Sequence, residues 1–462
     1  MLYQSTRGNV PKIGFTDAVL MGLGTDGGLL LPEEIPDVTA QLEEWQSLSY
    51  ADLAKQIMAL YIDDISKADL GDIIDKSYAT FTDPRITPLN RVGENYILEL
   101  FHGPTLAFKD VALQFLGNIF AHILKVSGGE LNIVGATSGD TGSAAIAGVR
   151  GKENINIFIM FPDGKTSELQ ELQMTSVLDA NVHNIAVDGS FDDCQALLKS
   201  VFSDLPFKEE YRLGAVNSVN WARILAQVVY FFSAYYQLRE KEPDIEEFDV
   251  CVPTGNFGDI FAGYIARKMG LPIGRLILAT NANDILTRFF TTGKYERGEV
   301  KFTHSPAMDI QVSSNFERYL YYALNGSSQK VREFMISFAQ TGSASIPFNT
   351  EVFDQQFAAG SASNEQTLAT IKRIYETEGY IADPHTAVGL HVGQQFRRVG
   401  VPVIHLATAH PAKFDTAIRL ALPGVHATHP TLEALKGLET RKSHIKVDES
   451  ALKALITRQS KA

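Results

Sequence analysis

The sequence is poor in the residues that cross-link small secreted proteins or hold structural metals. Its 462 residues include two cysteines, Cys194 and Cys251, which are too few for a disulfide framework or a cysteine-rich zinc site. The eleven histidines show no H-E-x-x-H or comparable ligand spacing, so the sequence predicts no metal site. A reducing, cytoplasmic location is the simplest interpretation of this cysteine content.

Positive charge and long apolar runs are also scarce. Lysine and arginine number 41 against 54 acidic residues, a net charge of −13, which argues against nonspecific binding to nucleic acid or anionic membranes. The most apolar helical stretch, ILAQVVYFFSAYY, is too short to span a bilayer, and the N-terminus lacks the apolar core of a signal peptide. An acidic chain is still compatible with a small anionic substrate, because a pocket can be locally basic.

Strand-like and helical patterns alternate from Tyr96 onward, within a hydrophobic content of 45%. This alternation predicts an α/β fold with parallel sheets and helices on both faces, whose ligands lie at the carboxyl ends of the strands. The predicted domains are an N-terminal domain (1–90), a smaller α/β lobe (91–240), a larger α/β lobe (241–430) and a C-terminal helical tail (431–462).

The motif TGNFGD, residues 254–259, follows the apolar run FDVCVP and precedes a helical pattern. A glycine loop between a strand and a helix gathers backbone N–H groups and favours a bound anion. The loop matches neither G-x-x-x-x-G-K-[ST] nor G-x-G-x-x-G, so it indicates one phosphate rather than a nucleotide. An ordinary tight turn is the alternative interpretation.

Two further loops occupy the same kind of position. GATSGDTGSAA, residues 135–145, combines small residues with hydroxyl donors that suit a carboxylate ligand, whereas helix capping by Ser138 or Asp140 is the alternative. LATAHPAKF, residues 406–414, places Thr408 at a predicted strand end, which by itself is equally compatible with a plain strand terminus.

Lys109 lies in FHGPTLAFKD, residues 101–110, between a glycine-proline turn and a helical pattern. An apolar surround and a helix N-terminus both disfavour the protonated amine, which makes a lysine nucleophilic. A lone lysine is usually a solvated surface residue. Together with a phosphate loop and a hydroxyl-rich loop, however, it is typical of an enzyme that uses pyridoxal phosphate.

The motifs as a set resemble the threonine synthase family. They follow one another in that family's order from residue 5 to about residue 415: STRG, LGTDGGLLLP, HGPTLAFKD, GATSGDTGSAA, NSVNWARILAQ, PTGNFGD, MDIQVSSNFER and LATAHPAKF. The resemblance implies a two-lobed, open parallel-sheet enzyme of pyridoxal phosphate fold type II, similar to the tryptophan synthase β subunit, with an extra N-terminal region. It also implies the last step of threonine biosynthesis, in which O-phospho-L-homoserine and water give L-threonine and phosphate by γ-elimination and β-addition of water.

Residue by residue, the resemblance implies that Lys109 forms the Schiff base with the cofactor and removes the substrate Cα proton. The group that takes the Cβ proton stays open between Lys109 and the leaving phosphate. It places Thr408 at the pyridine nitrogen and Asp140, where many relatives have asparagine, beside the cofactor. The implied cofactor-binding residues are Lys109, Asp140, Gly255, Asn256, Phe257, Gly258, Asp259 and Thr408. The implied substrate-binding residues are Thr137, Ser138, Thr141, Asn217, Ser218, Asn220 and Arg223. The last four are expected at the substrate phosphate, although a structural ion pair would equally explain Arg223.

Three alternatives are compatible with parts of this pattern. A threonine or serine dehydratase of the same fold type would share the lysine and the phosphate loop without a second phosphate site. A phospholyase-like or non-catalytic relative would keep the fold and bind phosphorylated ligands. A nucleotide-binding enzyme is disfavoured by the missing motifs. The composition suits a monomer or a homodimer equally.

Overall fold

The computed structural model describes residues 1–137, 139–216, 218–347 and 356–460. The strands are β1 (Tyr3–Ser5), β2 (Leu30–Pro32), β3 (Leu89–Val92), β4 (Asn95–Glu99), β5 (Leu131–Ala136), β6 (Ile155–Pro162), β7 (Val182–Asp188), β8 (Leu213–Gly214), β9 (Phe248–Pro253), β10 (Ile273–Thr280), β11 (Lys294–Glu296), β12 (Ser343–Ser345), β13 (Phe357–Ser361), β14 (Val403–Ala407) and β15 (Ser443–Lys446).

Helices connect most of these strands, as the alternating sequence pattern predicts. They are α1 (Phe15–Met21), α2 (Leu42–Trp45), α3 (Tyr50–Ala59), α4 (Lys67–Tyr78), α5 (Lys109–Ser127), α6 (Asp140–Val149), α7 (Glu168–Thr175), α8 (Phe191–Ser203), α9 (Leu205–Glu210), α10 (Trp221–Lys241), α11 (Gly258–Lys268), α12 (Ile285–Thr292), α13 (Phe316–Ala323), α14 (Ser328–Thr341), α15 (Asn364–Glu378), α16 (Pro384–Gln395), α17 (Asp415–Ala421), α18 (Pro430–Glu433) and α19 (Glu449–Gln459). Short 3-10 helices cover Thr39–Gln41, Pro306–Met308 and Pro411–Phe414.

The chain divides into two compact units, each built from separate stretches of sequence. The first unit comprises Met1–Gly71, Phe81–His102 and Ser218–Ala427. The second unit comprises Asp72–Thr80, Gly103–Asn217 and Thr428–Ala462. The sequence-based division into domains 1–90, 91–240, 241–430 and 431–462 stays a prediction.

The first unit contains a six-stranded sheet in the order β13-β10-β9-β14-β4-β3. All neighbouring strands run parallel except the hairpin of β3 and β4. Every residue of β9 is buried, which explains why FDVCVP is a continuous apolar run rather than an alternating one. The predicted α/β architecture is confirmed.

The second unit contains a five-stranded, fully parallel sheet in the order β15-β7-β6-β5-β8. Its edge strand β15 comes from the C-terminal stretch that the sequence predicts as a helical tail. Ser443–Lys446 carries little apolar signal because most of the strand is exposed. The following helix α19 buries Leu452 and Ile456 in the core of the unit.

The apolar stretch ILAQVVYFFSAYY belongs to α10, which is buried from Trp221 to Leu238 within the first unit. A helix that is hydrophobic on all sides is typical of the core of a large protein. Across the described ranges, no helix is both long and apolar enough to cross a membrane. The length and burial of α10 therefore reflect a core position.

The N-terminal region is tied to the rest of the first unit by a buried arginine. The Arg318 guanidinium, with no exposed surface, donates hydrogen bonds to the carbonyls of Leu30 and Val219 and to the Asn315 side chain. Arg7, from the STRG motif, pairs with the neighbouring Glu317 at 2.9 Å. Because buried polar groups must be satisfied, this segment of α13 fixes where the N-terminal residues pack.

Candidate functional site

Lys109 is the first residue of α5, and a rigid turn presents it. The buried Asp110 carboxylate accepts hydrogen bonds from the Thr105 N–H (2.8 Å) and hydroxyl (2.6 Å). A Cβ at Gly103 would lie 2.5 Å from the Asp110 Cβ, so only glycine fits there. Leu106 has a left-handed φ of 60°, a strained conformation that surrounding packing must maintain. Asp110, the residue that follows the lysine in FHGPTLAFKD, therefore has a structural role in holding this turn.

A glycine contact brings the helices α5 and α6 together. A Cβ at Gly117 would lie 2.0 Å from the Gly148 carbonyl oxygen, and one at Gly148 would lie 2.4 Å from that of Leu113. The helix backbones therefore touch directly. Lys109 and Asp140 are the first residues of these two helices, and the Lys109 Nζ lies 4.0 Å from an Asp140 carboxylate oxygen.

The Lys109–Asp140 pair is well shielded from water. The side chains are 12% and 5% exposed, respectively, and the Lys109 Nζ lies 5.5 Å from the centre of the Phe108 ring. A charge in such surroundings needs an opposite charge nearby, because burial alone penalises it. Asp140 also accepts a 2.9 Å hydrogen bond from the side-chain amide of Gln170 on α7.

The hydroxyl-rich loop owes part of its shape to Thr137. The Thr137 hydroxyl accepts hydrogen bonds from the N–H groups of Gly139 (3.1 Å) and Gly142 (3.2 Å) and donates one to the Gly139 carbonyl (2.9 Å). Thr141 lies half-buried in the first turn of α6. Two predicted ligand residues, Ser138 and Asn217, fall outside the described residues.

The TGNFGD loop joins β9 to α11 at the carboxyl edge of the first unit's sheet. Its carbonyls point into the protein: that of Gly255 accepts from the Ser313 hydroxyl (2.9 Å) and that of Asn256 from the Asn315 N–H (3.0 Å). Phe257 has a left-handed φ of 63°, and its buried ring packs among aromatic side chains, including Phe290. The aromatic packing compensates for the strain of this conformation.

This arrangement leaves donors for an anion. Within the ranges that the structure describes, no group accepts a hydrogen bond from the backbone N–H of Gly255, Asn256 or Phe257. A Cβ at Gly255 would lie 3.0 Å from the Ala307 carbonyl oxygen, so a larger residue there would require the neighbouring backbone to shift slightly. Unpaired N–H groups before a helix N-terminus fit the phosphate of a cofactor.

Asp259 lies in the first turn of α11, with its side chain turned toward α10. Its carboxylate accepts a hydrogen bond from the Tyr230 hydroxyl. Burial raises the pKa of Asp259 to about 7, although the Tyr230 hydrogen bond acts in the opposite direction. A carboxyl group that retains its proton near neutral pH reduces the repulsion of an anion bound at the same loop.

Arg223 lies on the same helix as Tyr230, two turns earlier. Its side chain is buried, and desolvation lowers the pKa of Arg223 to about 10, with the Tyr230 hydroxyl as a smaller opposing influence. Burying a guanidinium is costly unless anionic or polar groups compensate for it. Arg223 therefore places a buried positive charge in the first turn of α10.

The remaining predicted residues of the first unit have defined positions. Thr408 follows β14 and is buried. Because His405 pairs with Cys251 in parallel register, Thr408 comes level with Thr254 at the sheet edge. The Ser218 hydroxyl lies 2.7 Å from that of Ser314. Asn220 caps α10 by accepting from the Ala222 N–H (3.1 Å). The capping bond gives Asn220 a structural role as well as its predicted one.

Four side chains near these groups have no assigned role in the sequence analysis: Gln170, Tyr230, Ser313 and Asn315. Two of them, Ser313 and Asn315, lie in MDIQVSSNFER, whose run of polar residues is the sequence signal that could have indicated them. Gln170 and Tyr230 lie within helical patterns that look like ordinary packing. Their contacts with Asp140 and Asp259 are visible only in three dimensions.

We expect Gly117→Ala to force α5 and α6 apart, because the added methyl group would collide with the Gly148 carbonyl. Overpacking of this kind costs about 1–3 kcal/mol, so a thermal melt should show a clear loss of stability. Gly71→Ala in α4 is the matched control, since its Cβ would have no neighbour closer than 3.9 Å. Equal melting temperatures for the two variants would contradict the tight helix contact.

The raised pKa of Asp259 predicts a pH-dependent stability. The native state binds the proton more tightly than the unfolded chain, so its stabilising contribution is present below about pH 4 and is lost as pH rises through about 7. Asp259→Asn removes this titration. The stability of the variant relative to the unmodified protein should rise by about 2 kcal/mol between about pH 5 and 7. Parallel pH curves in calorimetry would exclude a buried, protonated Asp259.

Comparison with known proteins covers nearly the whole chain. Family models described as threonine synthase N terminus, pyridoxal-phosphate dependent enzyme, and threonine synthase, C-terminal match residues 2–78, 83–401 and 386–456, respectively. A threonine synthase of Schizosaccharomyces pombe is 46% identical over 458 residues, covering 91% of this chain and 89% of the relative.

Solved structures agree with these matches. A threonine synthase from Brucella melitensis, determined with PLP bound, has a TM-score of 0.96 at 43% identity and covers 100% of both chains. The yeast threonine synthase structure has a TM-score of 0.95 at 43% identity, covering 99% of this chain and 98% of its own. The chain therefore belongs to the threonine synthase family of pyridoxal phosphate-dependent lyases.

Proposed function

We propose that the protein converts O-phospho-L-homoserine and water to L-threonine and phosphate. Family membership supports this reaction, and the relatives at 46% identity carry the name of the enzyme. The observation that carries the proposal in this chain is the shielded pair of Lys109 and Asp140, 4.0 Å apart. It supplies an amine and a balancing carboxylate at the ends of two touching helices.

The residues present fit pyridoxal phosphate. Lys109 provides the amine for covalent attachment, and the N–H groups of residues 255–258 are suited to the cofactor phosphate. Asp259 lies in the first turn of α11, and its carboxyl group accepts a hydrogen bond from the Tyr230 hydroxyl. When bound, the cofactor stabilises negative charge on the substrate carbon that carries the amino group.

Asp140 and Thr408 would set the electrostatics around a bound cofactor. Thr408 would offer its pyridine nitrogen a neutral hydroxyl, which cannot hold a ring proton as a carboxylate would. Asp140 would offer a carboxylate to the cofactor as well as to Lys109. Its hydrogen bond from Gln170 fixes the direction of one carboxylate oxygen.

Lys109 is also the group that moves protons. With pyridoxal phosphate bound, the Lys109 Nζ would be the group placed to take the proton from the substrate Cα. Asp140 then balances the charge of the resulting ammonium group. The net reaction also takes a proton from Cβ, releases phosphate from Cγ and returns protons to Cγ and Cα, while the hydroxyl group of water is added at Cβ to give threonine.

The remaining predicted residues would hold the substrate. We assign the carboxylate to Thr137, Ser138 and Thr141, in the loop before and at the start of α6. We assign the substrate phosphate to Asn217, Ser218, Asn220 and Arg223. The burial of Arg223 supports its assignment, because a planar guanidinium binds phosphate in a two-point fashion.

We place the protein in the cytoplasm as a monomer or a homodimer. Both cysteines are free and buried, as expected of a protein from a reducing compartment.

Lys109→Ala tests the function directly. The unmodified protein, loaded with pyridoxal phosphate, should absorb visible light and release phosphate from phosphohomoserine. Lys109→Ala should lose the visible band and nearly all activity, because no amine remains for covalent attachment. The matched control is Lys125→Ala, an exposed lysine in the last turn of the same helix.

Three results would contradict the assignment. An unmodified protein that takes up no pyridoxal phosphate would remove the mechanism. A visible band that survives in Lys109→Ala would move the attachment to another lysine. Activity on serine or threonine with none on phosphohomoserine would favour a dehydratase.

A further inference from the structure

A hydrogen-bonded chain of side chains reaches the carboxylate beside Lys109. Ser167 precedes α7 and caps it, and its hydroxyl donates to the Gln170 side-chain oxygen at 2.9 Å. The Gln170 side-chain nitrogen donates to Asp140 at 2.9 Å. The other Asp140 oxygen is the one 4.0 Å from the Lys109 Nζ. This series of side-chain contacts therefore leads from the cap of α7 to the Lys109 amine.

The orientation of the Gln170 amide is set at the Asp140 end. An ionised Asp140 can only accept hydrogen bonds, which requires the amide nitrogen on its side. The Ser167 hydroxyl accepts from the Gln170 backbone N–H at 3.3 Å and can still donate its hydrogen to the side-chain oxygen of Gln170. The Ser167 contact is therefore compatible with this orientation.

Gln170 is packed closely against the loop that carries Asp140. Its side chain is buried at 7% exposure, and a Cβ at Gly139 would lie 3.2 Å from its amide nitrogen. A side chain at residue 139 would therefore crowd the amide. The glycine before Asp140 gives Gln170 room to approach the carboxylate.

A donor in this position has a defined effect on Asp140. A hydrogen bond to the charged form of a carboxyl group stabilises that form, and Asp140 is itself the first residue of a helix, where negative charge is favoured. With one oxygen held by Gln170, the second is directed to Lys109. Losing the donor would make Asp140 easier to protonate and would remove one of the contacts that orient its carboxylate.

We propose that Gln170 is a positioning residue that keeps Asp140 ionised and aimed at Lys109 during the reaction. The proposal rests on the function proposed above and adds a residue that acts through Asp140 rather than on the substrate. Protonating Asp140 would remove the charge that balances Lys109, so Gln170 sets the acid limit of activity.

Gln170→Leu and Gln170→Glu test the proposal through the pH dependence of kcat/KM for phosphohomoserine. Leucine removes the donor at similar volume, and we expect the acid limb to move to higher pH by about one unit. Glutamate adds a second carboxyl group, whose negative charge should move the limb further. The glutamate variant also keeps the test valid if the leucine variant folds poorly.

Gln173→Leu is the matched control. Gln173 lies on the same helix, is also 7% exposed, and donates to the Thr105 carbonyl at 3.2 Å instead of to Asp140. General loosening of α7 would affect both positions. An acid limb that stays in place in Gln173→Leu and moves in the Gln170 variants would assign the effect to the donor.

A second measurement needs no activity. Carbon NMR of the cofactor-free protein, labelled at aspartate carboxyl groups and assigned with Asp140→Asn, reports the titration of Asp140. It should move to higher pH in both Gln170 variants and stay unchanged in Gln173→Leu. Failure of the proposed function would abolish turnover in the unmodified protein but leave this shift intact.

Two results would overturn the proposal. One is an unchanged Asp140 titration in both Gln170 variants. The other is an equal shift of the Asp140 titration in Gln173→Leu, which would mean that the shift comes from general packing of α7.

Discussion

The direct backbone contact of α5 and α6 is the constraint on which the reactive pair depends. Gly117 and Gly148 each lie eight residues after the start of their helix, and neither position has room for a Cβ. Helices that touch this closely hold their first residues in a fixed relation. Lys109 and Asp140 can therefore form a shielded ion pair without a loop that must order around them. The burial of Lys109 and the nearness of its balancing carboxylate both follow from this packing.

In the TGNFGD loop, some backbone groups are hydrogen-bonded within the protein while others stay available. Ser313 and Asn315 occupy the carbonyls of Gly255 and Asn256, so the loop cannot turn its peptide groups over. Phe257 stays in a left-handed conformation because its ring is packed in an aromatic cluster. A rigid set of N–H donors can bind an anion without first paying the entropy of ordering a loop.

The sequence predicted the parts that depend on local pattern. Alternating strands and helices gave the α/β class, and the family's motifs placed Lys109 at a helix start and the TGNFGD loop at a strand end. Long-range side-chain partners could not be predicted this way. Gln170 meets Asp140 across 30 residues and Tyr230 meets Asp259 across 29, and helical periodicity gives no sign of either contact. The interleaving of the two units along the chain is likewise invisible to a linear reading of composition.

In the proposed reaction, a carbon–oxygen bond breaks at Cγ and water enters at Cβ. Turnover of phosphohomoserine in water enriched in oxygen-18, followed by mass spectrometry of both products, tests these two steps directly. Cleavage at Cγ predicts the label in the hydroxyl group of threonine and none in the phosphate released. Label in the phosphate, with homoserine as the organic product, would mean cleavage of the phosphorus–oxygen bond and would rule out the proposed reaction.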